Sequence, residues 1–204
     1  MRNTAIKTAV ALAIALPALA HAESTFTTGV GTPITAAARL DFQITIPKTL
    51  FLRVGTGALN TTNAAIDLIT FTVPAANVGN GTAVAGTGGD LTGGVVTAQV
   101  IGNNGTITFT STTGGPLGNG AGDTISYGQI ATAVTTLTSA TSLAHPTLAD
   151  GATTTITLTP ASGKVINRDA KWTYSYLNAA IVPPGTYGGV NTNNSRVTYT
   201  ASMP

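Results

Sequence analysis

Histidine, carboxylate and lysine side chains are the groups of this chain that could do chemistry, and they are few. The sequence has two histidines, seven Asp and Glu, nine Lys and Arg, and no cysteine. His145 precedes Pro146 in a Ser/Ala/Thr-rich connection, and we interpret it as a surface loop residue. A histidine-dependent hydrolase would have to be built on His145, yet no Gly-x-Ser-x-Gly elbow is present to hold a nucleophile.

The carboxylates are scattered, and their spacing selects no acid/base pair for glycoside hydrolysis. Gly89-Asp90 and Gly122-Asp123 lie in glycine-rich stretches where backbone carbonyls could help to bind calcium. No Asp-x-Asp-x-Asp-Gly calcium loop occurs, and zinc would require several His or Cys ligands. The sequence therefore predicts no catalytic site, no metal site and no cofactor.

Trp172, Tyr174 and Tyr176 alternate with polar residues and so share one face of a predicted strand. If they were exposed, they could stack on sugar rings, which would make the protein a secreted carbohydrate-binding or adhesin module. If they were buried, they would supply the largest side chains of a β core. The alternation favours the core, because aromatic residues on the apolar side of a half-buried strand normally pack inward.

The first 22 residues have the three parts of a secretory signal peptide. A basic start with Arg2 and Lys7 is followed by an apolar run and by Ala20-His21-Ala22, which predicts cleavage before Glu23. The apolar run is shorter than the ~20 residues of a membrane span. We therefore expect a protein that is exported through the periplasm, is secreted or lies at the cell surface, and has no membrane span after cleavage.

The net charge bears on which partners the protein can bind, and the absence of cysteine bears on how the fold is stabilised. Arg2 and Lys7 would leave with the signal, so seven basic residues would balance seven acidic ones. A neutral chain has no electrostatic footprint for nucleic acid or anionic lipid. Because an exported chain without cysteine has no disulfides, its stability must come from a large core or from neighbouring subunits.

Short apolar runs with a period of two between Gly, Asn and Pro predict an all-β fold. The pattern indicates one immunoglobulin-like two-sheet β-sandwich over residues 35–204. Val96 to Val100, Asn103-Asn104-Gly105 and Ile107 to Phe109 give the strongest hairpin signal. Alternation from Phe26 to Ile46 predicts a long strand, broken in places, whose first part is an N-terminal extension over residues 23–34.

Three segments resemble bacterial pilin-type domains, the subunits of chaperone–usher fimbriae and the related spore-coat-U-like proteins. Val182-Pro183-Pro184-Gly185-Thr186-Tyr187 followed by Val197-Thr198-Tyr199-Thr200 is similar to the end of these domains, and Asp123 to Tyr127 is similar to one of their middle strands. Many such subunits carry a disulfide, whereas this chain has no cysteine.

The resemblance implies an incomplete sandwich that an N-terminal donor strand of a neighbouring copy completes in a homopolymer. It also implies a periplasmic chaperone and an outer-membrane usher as partners. Carried onto this chain, the candidate donor residues are Phe26, Thr28, Val30, Thr32 and Ile34, and the candidate acceptor residues are Val197, Tyr199, Ala201 and Met203. The alternation alone is equally compatible with an ordinary first strand or a frayed tail.

Overall fold

The computed structural model describes residues 23–31 and 33–204. The predicted signal peptide and Thr32 lie outside these residues. The chain divides into two units, Met1–Ile46 and Pro47–Pro204. Within the described residues, no helix is long and apolar enough to cross a bilayer.

The described part of the first unit, residues 23–31 and 33–46, folds back on itself and contains no strand. Thr25 Oγ1 donates to the carbonyl of Ala37 at 2.7 Å, and Thr27 Oγ1 donates to the carbonyl of Thr35 at 3.4 Å. At the open end of the same arrangement, Arg39 pairs with Glu23 through two contacts of 2.6 and 3.0 Å. Residues 23–31 and 33–39 therefore run side by side as two antiparallel arms.

The second unit is built from short antiparallel strands and two 3₁₀ turns, Ala75–Asn77 and Tyr127–Gln129, and no α-helix occurs in the described part of the chain. Its strands are β1 Leu50–Val54, β2 Ile69–Thr70, β3 Val84–Ala85, β4 Thr87–Gly88, β5 Val95–Gly102, β6 Ile107–Thr113, β7 Leu117–Gly118, β8 Thr124–Ile125, β9 Ile130–Thr135, β10 Thr153–Leu158, β11 Ile166–Tyr176 and β12 Val197–Ser202. The all-β expectation is confirmed.

Two sheets carry most of the second unit. In the five-stranded sheet, β11 lies between β5 and β9, β1 flanks β5, and β3 pairs with the end of β11. In the three-stranded sheet, β6 lies between β10 and β12. The ladders β2–β4 and β7–β8 are short two-stranded ribbons.

The core lies between these two sheets. Phe109 of β6 stacks on Trp172 of β11, with ring centroids 6.1 Å apart, and so joins one sheet to the other. Fully buried side chains come from both sheets: Val96, Ala98, Val100, Ile107, Phe109, Leu158, Ile166, Ala170 and Trp172, with Leu143 contributed by a loop. Apolar and polar residues alternate along β6 and β10, because successive side chains of a strand point to opposite faces.

Hydroxyl residues cover the outer face of the three-stranded sheet. Cross-strand partners place them in rows, such as Thr155, Thr110 and Thr200. The full set is Thr108, Thr110, Thr112, Thr153, Thr155, Thr157, Thr198, Thr200 and Ser202. Threonine combines a branched side chain suited to strands with a hydroxyl group that water can solvate. This face of the sheet is therefore polar, although none of these nine residues is charged.

The predicted hairpin around Asn103-Asn104-Gly105 is wrong, because β5 and β6 belong to different sheets. The chain crosses from one sheet to the other, and both strands turn their apolar faces to the shared core. Asn103 fixes the crossing by donating to the carbonyl of Pro47 and accepting from the amide of Thr49, each at 2.8 Å. Gly105 has φ +99°, and its amide bonds to the carbonyl of Lys164 at 2.8 Å.

The strand predicted across residues 26–46 is absent among the described residues, where the first strand begins at Leu50. A strand requires a partner for its backbone hydrogen bonds, and alternation in sequence does not supply that partner.

Candidate functional site

Trp172, Tyr174 and Tyr176 are buried, with exposed fractions of 0%, 8% and 6%. They project from one face of β11 into the core, which confirms their interpretation as core residues. A sugar-stacking platform requires exposed rings, so these three aromatic residues do not form one. Trp172 also donates its indole N–H to the carbonyl of Leu143 at 2.9 Å, which ties a long loop to the core.

His145 lies in a loop, as predicted, but it is half-buried against this aromatic cluster and not fully exposed at the surface. Its Nε2 is 2.7 Å from the hydroxyl of Tyr199 and 3.1 Å from that of Tyr174, and the two hydroxyls are 3.1 Å apart. The imidazole also packs edge-on against Trp172, with ring centroids 4.5 Å apart. These contacts join residues 25 to 54 positions apart, so no local sequence signal could have revealed them.

Burial keeps the groups of this cluster neutral. It lowers the pKa of His145 to about 4, although the backbone hydrogen bond to Pro146 opposes the change. Burial raises the pKa of Tyr174 to about 12 and raises that of Tyr199 well above its ordinary value. A histidine with so low a pKa is a weak base at neutral pH, and a hydroxyl that stays protonated is a poor nucleophile. The cluster is therefore better suited to holding strands together than to proton transfer.

The carboxylates of the second unit hold loops in place. Asp67 accepts from the amide of Thr56 at 2.6 Å, and Asp150 accepts from the amide of Tyr127 at 2.7 Å. Asp90 accepts from the amide of Thr97 at 2.7 Å and lies 3.5 Å from the guanidinium of Arg53. Asp123 accepts from the side-chain amide of Asn119 at 2.8 Å. Within the described residues, no three His, Cys, Asp or Glu side chains are grouped to hold a metal.

Asp169 is the most deeply embedded of these carboxylates. It accepts from the amides of Thr138 and Ser139 at 2.9 and 2.8 Å, and from both of their hydroxyls. Burial acts to raise the pKa of Asp169, but the hydrogen bonds from Ser139 and Thr138 outweigh it and hold that pKa at about 2. The carboxylate therefore anchors the loop that leads from β9 toward His145.

Replacing Asp169 with Ala should lower the free energy of unfolding by about 2–4 kcal/mol, because four donors lose a charged acceptor. In the native chain, the stabilisation from this group is fully present above pH 3.8 and is lost as the pH falls toward 2. Urea titrations from pH 6 to pH 2 measure both effects. Equal stability of the Ala variant and the native chain at pH 6 would contradict this role.

A cavity of about 330 Å³ opens beside a polar loop and is lined by Gly114 and by residues 191–196. Asn191, Asn193 and Asn194 have positive φ angles of 51–60°, which the short polar side chain of Asn tolerates. Arg196 is the titratable group in its lining. This cavity therefore lacks the paired titratable groups of an active site.

The side of the core bounded by β1 and β12 is only partly covered. Each of these strands pairs on one edge only, β1 with β5 and β12 with β6, and the two strands adjoin each other. The apolar side chains that they turn toward the core are only partly buried: Leu52, Val54, Tyr199, Ala201 and Met203. We call this region, bounded by β1 and β12, the open edge.

The first unit ends in an alternating apolar segment whose large side chains are all exposed. Leu40, Phe42, Ile44 and Ile46 have exposed fractions of 64%, 85%, 85% and 76%. Asp41, Gln43 and Thr45 alternate with them. A regular series of exposed hydrophobic side chains is uncommon on a protein surface, whereas isolated ones are ordinary.

The four predicted donor residues that the structure describes do not lie along one extended segment. Phe26 and Thr28 belong to the first arm of the N-terminal unit, Ile34 belongs to the second, and Val30 lies near the turn between them. The predicted acceptor residues, in contrast, lie on β12 or directly after it, with partly buried side chains.

Comparison with known proteins identifies no relative. No protein-family model matches the chain, and no curated protein and no solved structure is significantly similar to it.

Proposed function

We propose that this protein is a structural subunit of an extracellular bacterial filament in which each copy donates a β-strand to the next. The observation that carries the proposal is the coexistence of an exposed apolar alternating segment and an open edge of complementary character. An unpaired strand edge is a template for pairing with another chain. Addition of a strand supplies main-chain hydrogen bonds for affinity and side-chain pockets for register.

Leu40–Ile46 is the donor segment that the exposed side chains favour. An antiparallel register with β12 places four apolar residues opposite four others, pairing Leu40 with Met203, Phe42 with Ala201, Ile44 with Tyr199 and Ile46 with Val197. The bulkiest donor side chain then faces the smallest acceptor side chain. A strand from Leu40 to Ile46 is about 20 Å long, which matches the length from Val197 to Met203.

The antiparallel register requires the donor to come from another copy. It places Ile46 at the Val197 end of β12. Pro47 lies at the opposite end of β12, near Met203. The carbonyl of Pro47 accepts from Asn103, and the amide of the next residue, Asn104, contacts Met203 Sδ at 3.2 Å. Val197 and Met203 are about 20 Å apart, whereas the consecutive Cα atoms of Ile46 and Pro47 are about 3.8 Å apart. A chain therefore cannot fill its own open edge in this register.

Donation from copy to copy is a head-to-tail contact, and such contacts generate open filaments when the rotation between copies does not close a ring. The immunoglobulin-like topology of an incomplete sandwich, the export signal, and a periplasmic chaperone and outer-membrane usher as assembly partners belong to the same proposal through the pilin resemblance. A function in assembly is also consistent with the structural use of His145 and of the carboxylates.

Negative-stain electron microscopy of the protein recovered from culture medium tests the proposal. We expect filaments at neutral pH whose mass spectrum reports this chain with its N-terminus at Glu23. Monodisperse monomers at concentrations where pili normally persist would contradict it. A chain that still begins at Met1 would contradict the export step.

A further inference from the structure

The triangle of His145, Tyr174 and Tyr199 connects the two sheets beside the open edge. Tyr174 lies on β11 of the five-stranded sheet, Tyr199 lies on β12 of the three-stranded sheet, and His145 bonds to both hydroxyls. Tyr199 is also one of the open-edge side chains and stacks on Phe109 with ring centroids 6.1 Å apart. The network therefore links β12 to β11, in addition to the pairing of β12 with β6 in its own sheet.

A neutral imidazole ring can accept a hydrogen bond at Nε2, whereas the charged ring can only donate one. We assign the ring proton to Nδ1, so that Nε2 accepts from the Tyr199 hydroxyl, which lies 2.7 Å away. A proton on Nε2 would convert this acceptor into a donor, and the hydroxyl hydrogens of both tyrosines would have to turn away. The network would then lose the geometry that joins β11 to β12.

The groups that face His145 supply no counter-charge. Tyr174 of β11 and Tyr199 of β12 are the titratable partners, and both have raised pKa values and stay neutral. Trp172 of β11 closes another side of the ring. Nearby carboxylates are engaged elsewhere, Asp150 with the amide of Tyr127 and Asp169 with Thr138 and Ser139. A buried charge without a partner is costly.

We propose that protonation of His145 releases β12 from β11 and so weakens the joint between copies, which makes the assembly acid-labile. The inference rests on the proposed function, because it regulates the same open edge. In the unfolded chain, the histidine takes up a proton near its ordinary pKa of 6.5, but in the folded chain only near 4. Stability is therefore complete above pH 6.5 and is lost as the pH falls toward 4.

The test compares the native full-length protein with a His145→Gln variant, because Gln can bond to both tyrosine hydroxyls and does not titrate. Preformed filaments are moved from pH 7.5 to pH 4.5, and the subunits released are measured by sedimentation. We expect native filaments to dissociate and those of the variant to persist. Equal behaviour of the two proteins, whether both dissociate or both persist, would overturn the inference.

A second measurement separates failure of this inference from failure of the proposed function. If microscopy finds no filaments at pH 7.5, the proposed function fails, and urea unfolding of the full chain still tests the triangle. We expect the unfolding equilibrium of the native chain to shift by about 50-fold between pH 7.5 and pH 4.5, and that of the variant by less than about 3-fold. Parallel shifts in both proteins would overturn the role of His145.

Discussion

Replacing Phe42 and Ile44 together with Asp should abolish filaments while the β domain remains folded. Both side chains are 85% exposed in the chain, so the substitutions remove no packing from it. In the donated position, each Asp would enter an apolar groove without a partner, at a cost of several kcal/mol. The affinity between copies should therefore fall by more than about 100-fold. Electron microscopy and circular dichroism measure the two outcomes.

The matched control is the same double substitution at Phe26 and Val30, which are also fully or almost fully exposed. These two residues belong to the donor that was predicted from the sequence. Filaments that persist in this control and vanish in the first variant would assign donation to Leu40–Ile46. The reverse result would assign donation to residues 26–34 and overturn the register proposed above.

Replacing Trp172 with Ala should lower the free energy of unfolding by about 3–5 kcal/mol, the usual range for emptying a large aromatic site. Trp172 has no exposed surface, stacks on Phe109, packs against His145 and donates to Leu143. The loss would affect both sheets and the loop that carries His145. Equilibrium urea unfolding followed by far-ultraviolet circular dichroism provides the measurement.

Trp172→Phe is the control for this substitution, because it keeps an aromatic ring in the core but removes the indole N–H. It should lose about half as much stability, since one buried carbonyl loses its donor and some volume is left empty. A Trp172→Ala chain that remains within about 1 kcal/mol of the native chain would contradict the central position of this residue.

Strand positions were predictable because alternation reports directly which face of a strand is buried. The segments around Ile156, Trp172 and Tyr199 are strands β10, β11 and β12, as the period of two predicted. Pairing was less predictable, because the same turn residues serve a hairpin and a crossing between sheets. The crossing at Asn103–Thr106 depends on bonds from Asn103 to Pro47 and Thr49, more than 50 positions away.

In the candidate site, too, the sequence pattern predicted the local features but not the contacts with residues far along the chain. The apolar series Leu40 to Ile46 is visible in the sequence, but its exposure is a property of the folded chain. His145 lies in a stretch whose composition indicates a loop, and its contacts with Tyr174 and Tyr199 come from strands far along the chain. Burial by distant residues leaves no periodic signal near the residue that is buried.

Mixing two single-cysteine proteins tests strand donation most directly, because the native chain has no cysteine of its own. In the antiparallel register Asp41 lies opposite Ser202, so Asp41→Cys and Ser202→Cys chains should form a disulfide-linked heterodimer under mild oxidation. Asp41→Cys mixed with Thr198→Cys, which would be opposite in a parallel register, should not. A strong Asp41–Ser202 link that reduction reverses is the predicted result, and two folded proteins that remain unlinked would contradict donation between copies.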